Sequence, residues 1–217
     1  MKHIIITGHY GSGKSNVAVN MALERSGEDT KPVILIDADI VNPYFRSLDS
    51  KDEMEQHGIK VLAPVYANTN LDVPSLPAEI HQVFSRDCTA IWDIGGDEAG
   101  ATVLGRYSAR IADQGYEMLY VVNFFRPLSS DDSDMAQLLR EIERASCLKA
   151  TGLINNSNLG DETTAKDILD SIERTEKFAE ETGLPVKKTT VKSDLAGNPE
   201  LNRHTITPIE IVTKKYW

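Results

Sequence analysis

The chain has 217 residues, of which 41% are hydrophobic and 26% charged, as in a globular protein with one compact domain and a sizeable core. Its formal net charge of -10 disfavours sequence-independent binding to nucleic acid or anionic lipid. No apolar run reaches membrane-spanning length, and the N-terminal residues lack a signal-peptide pattern. Cys88 and Cys147 form no metal or disulfide motif, so we expect a cytoplasmic protein.

Short apolar runs alternate with amphipathic segments along the chain. This alternation predicts an α/β fold, with a mostly parallel twisted sheet of about seven strands and helices on both faces. The predicted strands are residues 3–7, 32–37, 59–64, 89–95, 117–124, 149–156 and 186–191, with 208–217 as a last strand or an edge segment. The predicted helices are residues 15–27, closed by Gly27, then 77–85, 130–146 and 161–182, closed by Gly183. Residues 47–58 are either a surface insertion or a solvated helix.

Residues 8–15 read GHYGSGKS and fit the phosphate-loop pattern G-x-x-x-x-G-K-[ST]. The match follows a predicted strand and precedes a predicted helix, as this motif requires. Its glycines let backbone N–H groups turn toward a phosphate at the positive end of the helix. We expect Lys14 to reach the β and γ phosphates and Ser15 to bind Mg²⁺. The predicted nucleotide-binding residues of this loop are Gly8, His9, Tyr10, Gly11, Ser12, Gly13, Lys14, Ser15 and Asn16.

Two predicted strands end in aspartates, at the sheet edge where open α/β folds bind ligands. The second strand leads into LIDAD and the fourth into WDIGG. We expect Asp93 to hold Mg²⁺ through water, and a glycine after it can sense a γ phosphate through its N–H. Asp37 and Asp39 lie on the same side of an extended chain, so one can touch a Mg²⁺-bound water while the other faces an attacking water or hydroxyl. Each aspartate could instead cap a turn.

The phosphate loop, the DAD after the second strand and the DIGG after the fourth resemble the MinD/ParA-type P-loop ATPases. These proteins belong to the SIMIBI class, with the nitrogenase iron protein, dethiobiotin synthetase and the signal-recognition GTPases. The resemblance covers about residues 1–195 and implies a P-loop NTPase fold, with residues 1–217 as a single nucleotide-binding domain. It implies that Asp37 holds a Mg²⁺-bound water, that Asp39 positions the hydrolytic water, and that Asp93 and Gly96 belong to a second switch. Asp39 and Lys14 are thus the predicted catalytic residues. The resemblance also implies that Asn42 belongs to a first switch, and that residues 40–48 and 95–106 respond to the nucleotide.

The segment after the sixth predicted strand bears on the choice of base. GTPases of this class carry N/T-K-x-D there, and its Asp pairs with guanine. This chain reads NNSN and has no Lys-x-Asp. The amides of Asn155 and Asn156 can donate and accept, which suits adenine, so we expect ATP rather than GTP. Residues 192–199 are expected to form the other side of the base pocket, and a simple turn is the alternative for NNSN.

Position 9 departs from the family. MinD/ParA proteins carry a lysine there that crosses a dimer interface to the partner's phosphates, whereas this chain has His9 followed by Tyr10. A histidine of ordinary pKa is mostly neutral at pH 7, so it is a weak substitute. Four arginines could supply the charge instead: Arg46, Arg106, Arg110 and Arg126. The first two are preferred because each is close in sequence to a switch aspartate.

Together these features favour a Mg²⁺-dependent ATP-binding protein that hydrolyses ATP slowly and whose switch segments are read by a partner protein. A homodimer is compatible with the resemblance. Two alternatives stay open: an ATP-dependent small-molecule kinase or ligase resembling dethiobiotin synthetase, and a nucleotide-dependent interaction protein that does not hydrolyse. The lack of a cysteine pair argues against an iron–sulfur cluster, and the short C-terminal segment argues against a MinD-type membrane helix.

Overall fold

A computed structural model describes residues 2–39, 51–64, 76–126 and 132–212, apart from the side chains of residues 52 and 53. Within these ranges one sheet of eight strands has the order β3-β2-β4-β1-β5-β6-β7-β8, and its neighbouring strands pair in parallel. The strands are β1 (His3–Gly8), β2 (Val33–Ala38), β3 (Lys60–Leu62), β4 (Thr89–Ile94), β5 (Tyr116–Val122), β6 (Gly152–Asn155), β7 (Val186–Lys192) and β8 (Thr207–Ile209).

Helices connect the strands and cover both faces of the sheet. They are α1 (Lys14–Glu28), α2 (Lys51–Gln56), α3 (Ile80–Ser85), α4 (Glu98–Gly105), α5 (Ser108–Gln114), α6 (Asp132–Ser146), α7 (Ala165–Thr182) and α8 (Ser193–Ala196). None of the helices in the described ranges is both long and apolar enough to cross a membrane.

The central strands are buried on both faces, which explains their continuous apolar runs. In β1 the alternation of a strand sends Ile5 into the core cluster that contains Trp92. The same alternation sends Ile4 and Ile6 into the opposite cluster beneath α1. The predicted parallel α/β sheet with helices on both faces is therefore confirmed, with eight strands in the described ranges.

Two predicted helix ends need correction. Gly27 does not close α1, which continues to Glu28 and ends where the extended backbone of Asp29 takes over. The seventh helix begins at Ala165 rather than Asp161, because Thr164 and Asp167 form a reciprocal capping box there. Its predicted end is correct, since Gly183 adopts a left-handed conformation with φ of 70°.

Three further segments differ from the prediction or refine it. Helices α4 and α5 were not predicted as helices, and α4 begins where the Asp97 carboxylate accepts from the Gly100 N–H at 2.7 Å. Residues 51–56 of the segment 47–58 form a helix, but Met54 is fully buried, so this helix is not simply solvated. The predicted C-terminal edge segment is confirmed as β8, at the end of the sheet beside β7.

Candidate functional site

The phosphate loop leaves the centre of the sheet, because β1 lies between β4 and β5. The chain turns after Gly8 and enters α1 at Lys14, and Gly13 caps this helix with a left-handed φ of 87°. A Cβ atom at Gly13 would overlap the amide nitrogen of Asn156. That amide donates to the Ser12 carbonyl at 2.7 Å, so the segment after β6 supports the loop from behind.

Lys14 lies inside a cluster of carboxylates. Its side chain is buried, and Nζ donates to the His9 carbonyl at 3.0 Å. Burial lowers the pKa of Lys14, while the charges of Asp93, Asp39 and Asp97 act to raise it. The loop lysine and the predicted acidic residues therefore share one site.

Asp37 and Asp93 lie side by side at the ends of β2 and β4. They are register partners across the two strands, and both are fully buried. Burial raises the pKa of Asp93 to about 7, with the nearby Asp39 charge adding to this effect. The Ser15 hydroxyl and the Lys14 charge act in the opposite direction. A cation bound beside such a buried carboxyl group would lower its pKa and favour the ionised form.

Asp39 and the glycines after β4 pack directly against the loop. The Asp39 N–H donates to Asp37 Oδ1 at 3.2 Å. A Cβ atom at Gly95 would lie 3.1 Å from Asp39 Oδ1. A Cβ atom at Gly96 would lie 2.9 Å from Lys14 Nζ and 2.8 Å from the Tyr10 backbone nitrogen. Any larger residue at position 96 would therefore displace the loop, which explains the glycine at this place in DIGG.

Several polar atoms at this edge are buried without a hydrogen-bond partner of good geometry in the described residues: Thr7 Oγ1, Ser12 Oγ and both carboxylate oxygens of Asp93. Such atoms are costly unless a ligand or water satisfies them. Among the described residues, no group of three or more His, Cys, Asp or Glu side chains is placed to hold a metal. The residues thus fit Mg²⁺ that takes its remaining oxygens from a nucleotide's phosphates.

His9 supports the loop and does not supply charge. Its ring is buried; Nδ1 donates to the Tyr10 carbonyl at 2.9 Å, and Nε2 accepts from the Asn123 N–H at 3.3 Å. Burial lowers the pKa of His9 to about 4, so the ring is neutral at pH 7. In this geometry His9 carries no charge that could replace the lysine of MinD/ParA proteins. Tyr10 is the exposed member of the loop, with 47% of its surface accessible.

The amides predicted to read the base have partners inside the protein. Asn155 donates to Ser171 Oγ at 2.9 Å and accepts from the Ser157 N–H at 3.1 Å. Asn156 donates to the Ser12 carbonyl at 2.7 Å and accepts from the Thr190 hydroxyl at 2.6 Å. In this geometry both amides stabilise the loops around the site, and their role in reading a base stays a prediction.

The side chain of Asn16 is bonded to the segment after β8. Its amide donates to the Glu210 carbonyl at 2.9 Å and accepts from the Val212 N–H at 3.0 Å. Asn20, one turn later, adds a reciprocal pair with Glu210. The side chain of Asn16 therefore attaches the segment after β8 to α1, and only its backbone stays near the loop.

The remaining predicted residues have mixed outcomes. Asn42, Arg46 and residues 40–48 of the first predicted switch lie outside the described residues. Arg106 is exposed at the end of α4, and the Arg110 guanidinium lies 4.1 Å from the centroid of the Phe84 ring. Arg126 lies beside the phosphate loop. Proximity in sequence to a switch aspartate favoured Arg46 and Arg106 over Arg126, although an arginine just after a central strand was a usable signal.

Asn123 was missed altogether. It follows β5 at the same sheet edge as the aspartates, and its Oδ1 accepts from the N–H groups of Phe125 and Asn158 at 3.1 and 3.3 Å. Together with its bond to His9, these contacts join the phosphate loop to the segments after β5 and β6. A polar residue ending the apolar run YVVN could have indicated this role.

The fold is similar to that of three solved proteins. Cell division protein FtsY from Thermotoga maritima has a TM-score of 0.60 and 20% identity, over 88% of this chain and 61% of that one. The signal recognition particle receptor FtsY from Elizabethkingia anophelis has a TM-score of 0.55 and 19% identity, over 88% of this chain and 57% of that one. Signal recognition particle 54 kDa protein from Aeropyrum pernix K1, solved in complex with GDP, has a TM-score of 0.54 and 18% identity, over 87% of this chain and 41% of that one.

These similarities show the P-loop NTPase fold predicted from the sequence. The chain spans about three fifths or less of the length of these proteins. The sequence matches no protein-family profile and no curated protein. The MinD/ParA resemblance therefore stays a prediction from the motifs.

Proposed function

We propose that this chain is a Mg²⁺-dependent ATP-binding protein that hydrolyses ATP slowly and signals its nucleotide state to a partner protein. One observation carries the proposal: Lys14, Asp93 and Asp39 lie in one buried cluster against Gly96. A buried lysine among buried carboxylates at the end of a phosphate loop has the charges that Mg²⁺ and a triphosphate would complete.

Each residue has a role in this proposal. The loop backbone and Lys14 bind the β and γ phosphates, while Ser15, Asp37 and Asp93 hold Mg²⁺ directly or through water. When bound, Mg²⁺ neutralises charge on those phosphates. Asp39 orients a water whose oxygen bonds to the γ phosphorus as the bond to the β–γ bridging oxygen breaks. The bridging oxygen keeps the electron pair on ADP, and the proton of the water passes to Asp39 and then to solvent.

The preference for ATP rests on what the segment after β6 offers to a base. Guanine recognition needs a carboxylate to accept from its N1–H and N2–H₂ groups, and residues 155–160 contain none. The first acid in this segment is Asp161, which pairs with Lys192 at 3.1 Å. The similarity to a protein solved with GDP makes the base a necessary part of any test.

Titration of the protein with labelled ATP and GTP, with Mg²⁺ and with EDTA, tests the proposal. We expect saturable binding that requires Mg²⁺ and favours ATP. Lys14→Ala is the matched negative control, because it removes the charge while keeping the chain fold. Binding of neither nucleotide, or a clear preference for GTP, would contradict the proposal.

The neutral and buried ring of His9 bears on the rate of hydrolysis. Position 9 does not supply the charge that the MinD/ParA resemblance implied, so rapid hydrolysis by that route is not expected. Single-turnover measurements separate a slow ATPase from a protein that only binds: ADP should form within hours on the first account. Turnover that requires one small metabolite would instead identify a kinase or ligase.

A further inference from the structure

We propose that Arg126 contacts the β–γ region of the bound triphosphate from within the same chain and supplies the positive charge that position 9 lacks. This inference rests on the proposed function. It goes further because it names the residue that stabilises charge during hydrolysis, and because it removes the need for a second subunit to complete the site.

The position of the side chain is the first support. Cγ and Cδ of Arg126 each lie 3.9 Å from the point that a Cβ atom of Gly11 would occupy. Gly11 is in the middle of the phosphate loop with φ of 78°, where backbone N–H groups turn inward toward the anion. The aliphatic part of Arg126 thus lies over the loop, and its charge helps to lower the pKa of the neighbouring His9.

The attachment of Arg126 is the second support. The Arg126 N–H donates to the Asn123 carbonyl at 3.4 Å in a turn just after β5. The Asn123 N–H in turn donates to His9 Nε2, so the turn that carries Arg126 is bonded to the phosphate loop. A neutral histidine is required for this bond, because a protonated ring has no acceptor nitrogen. His9 therefore holds the turn after β5 in place, and Arg126, which this turn carries, provides the positive charge.

Arginine suits this position chemically. Its planar guanidinium donates two parallel hydrogen bonds to phosphate oxygens and stays charged at any working pH. During hydrolysis, negative charge grows on the bridging oxygen as its bond to the γ phosphorus breaks, and a guanidinium placed there stabilises that charge. Two other arginines have contacts elsewhere in the fold: Arg110 lies over Phe84, and Arg174 pairs with Asp132 at 2.6 Å.

Arg126→Gln is the informative variant, because it keeps the methylene groups that pack over Gly11 and removes only the charge. We expect its affinity for Mg·ATP to fall about tenfold to a hundredfold, with a smaller loss for Mg·ADP, and its turnover to fall at least about a hundredfold. Arg126→Lys should recover part of the ATP affinity. Arg86→Gln, which removes an exposed charge near the opposite end of β4, is the matched control and should match the wild type.

Arg126→Gln should also keep the wild-type melting temperature without nucleotide, which separates loss of charge from loss of fold. Turnover per wild-type chain should not change as the protein concentration is raised, since the charge comes from the same chain. If Arg126→Gln keeps the wild-type preference for ATP over ADP, or if turnover per chain rises with protein concentration, this inference is overturned while nucleotide binding stands. A wild-type protein that binds no nucleotide overturns both proposals.

Discussion

The phosphate end and the predicted base end of the site differ in how their polar groups are satisfied. At the phosphate end, Thr7 Oγ1, Ser12 Oγ and both oxygens of Asp93 are buried without a good hydrogen-bond partner among the described residues. At the base end, both amide atoms of Asn155 and of Asn156 are bonded inside the protein. The two ends are in direct contact, because the Asn156 amide donates a hydrogen bond to the Ser12 carbonyl.

This difference suggests separate roles for the two ends. A buried polar atom without a partner costs about 1–3 kcal/mol, so a ligand that satisfied several such atoms would gain from them. A buried amide with both atoms bonded contributes stability and has fewer donors and acceptors left for recognition. We therefore propose that the phosphate end binds the ligand and that Asn155 and Asn156 support the loop.

The largest expected effect comes from Lys14→Ala, which tests the phosphate end directly. Removing the only lysine of the loop should lower the affinity for Mg·ATP on the order of a thousandfold, because it deletes a buried charge that binds phosphate. The unliganded protein should keep its melting temperature or gain stability, since Lys14 has a buried charge to desolvate. Calorimetric titration measures the affinity for Mg·ATP, and a thermal melt measures the stability of the unliganded protein. Unchanged affinity would show that the nucleotide binds elsewhere.

Asp39→Ala should affect turnover rather than binding. We expect Mg·ATP to bind with an affinity near that of the wild type and the rate of ADP formation to fall roughly a hundredfold to a thousandfold, because the attacking water loses its base. Asp113→Ala, which removes an exposed acid from α5, is the matched control. A normal rate in Asp39→Ala would remove this residue from the mechanism.

Asp93→Asn should change binding and stability in opposite directions. The pKa of Asp93 is raised by burial to about 7 in the folded protein, against 3.8 as its ordinary value. The folded state therefore holds a proton that the unfolded chain releases, and stability without nucleotide falls as pH rises from about 4 to about 7. Asp93→Asn should flatten this dependence and add on the order of 1–3 kcal/mol at pH 8.

The same substitution should weaken Mg·ATP binding about tenfold or more, because an amide is a poorer partner for Mg²⁺ than a carboxylate. Denaturant melts at pH 5 and pH 8, with and without Mg·ATP, measure both effects. A variant that is less stable at pH 8 and binds normally would show that Asp93 is a structural carboxylate and not part of the metal site.

Asn156→Ala tests the base end and should have the smallest effect on binding. It removes the Asn156 partner of the Ser12 carbonyl and one of two partners of the Thr190 hydroxyl, which keeps the Asn155 carbonyl at 3.2 Å. We therefore expect a loss of about 1–3 kcal/mol in the free energy of unfolding. The ratio of ATP to GTP affinity should not change, and Asn202→Ala, at an exposed position, should change neither quantity. A changed ratio at normal stability would restore Asn156 to base recognition.

The sequence predicted the sheet and which residues meet at its carboxyl edge. Both depend on local patterns: β1 is an apolar run, GHYGSGKS fixes the loop, and strand ends in a parallel sheet meet at one edge, which placed Asp37 next to Asp93. Helices α4 and α5 were missed because the segment after β4 was assigned to a switch through the resemblance, and its own capping signal at Asp97 was not used.

Side-chain partners could not be predicted in the same way. The partners of His9, Asn16 and Asn156 lie more than 30 residues away in the chain, at Asn123, Glu210 and Thr190. A single sequence shows that an amide or imidazole can donate and accept, but the fold decides whether a protein group or a ligand takes those bonds. The pKa of His9 follows from the same burial.

A crystal structure with Mg²⁺ and a non-hydrolysable ATP analogue tests the central claim most directly. We predict that Lys14 Nζ leaves the His9 carbonyl for the phosphates, that Ser15 Oγ binds Mg²⁺ at about 2.1 Å, and that Asp93 accepts from a metal-bound water. The amides of Asn155 and Asn156 should keep their present partners. A nucleotide bound away from the phosphate loop, or one whose base is held by those two amides, would contradict the account.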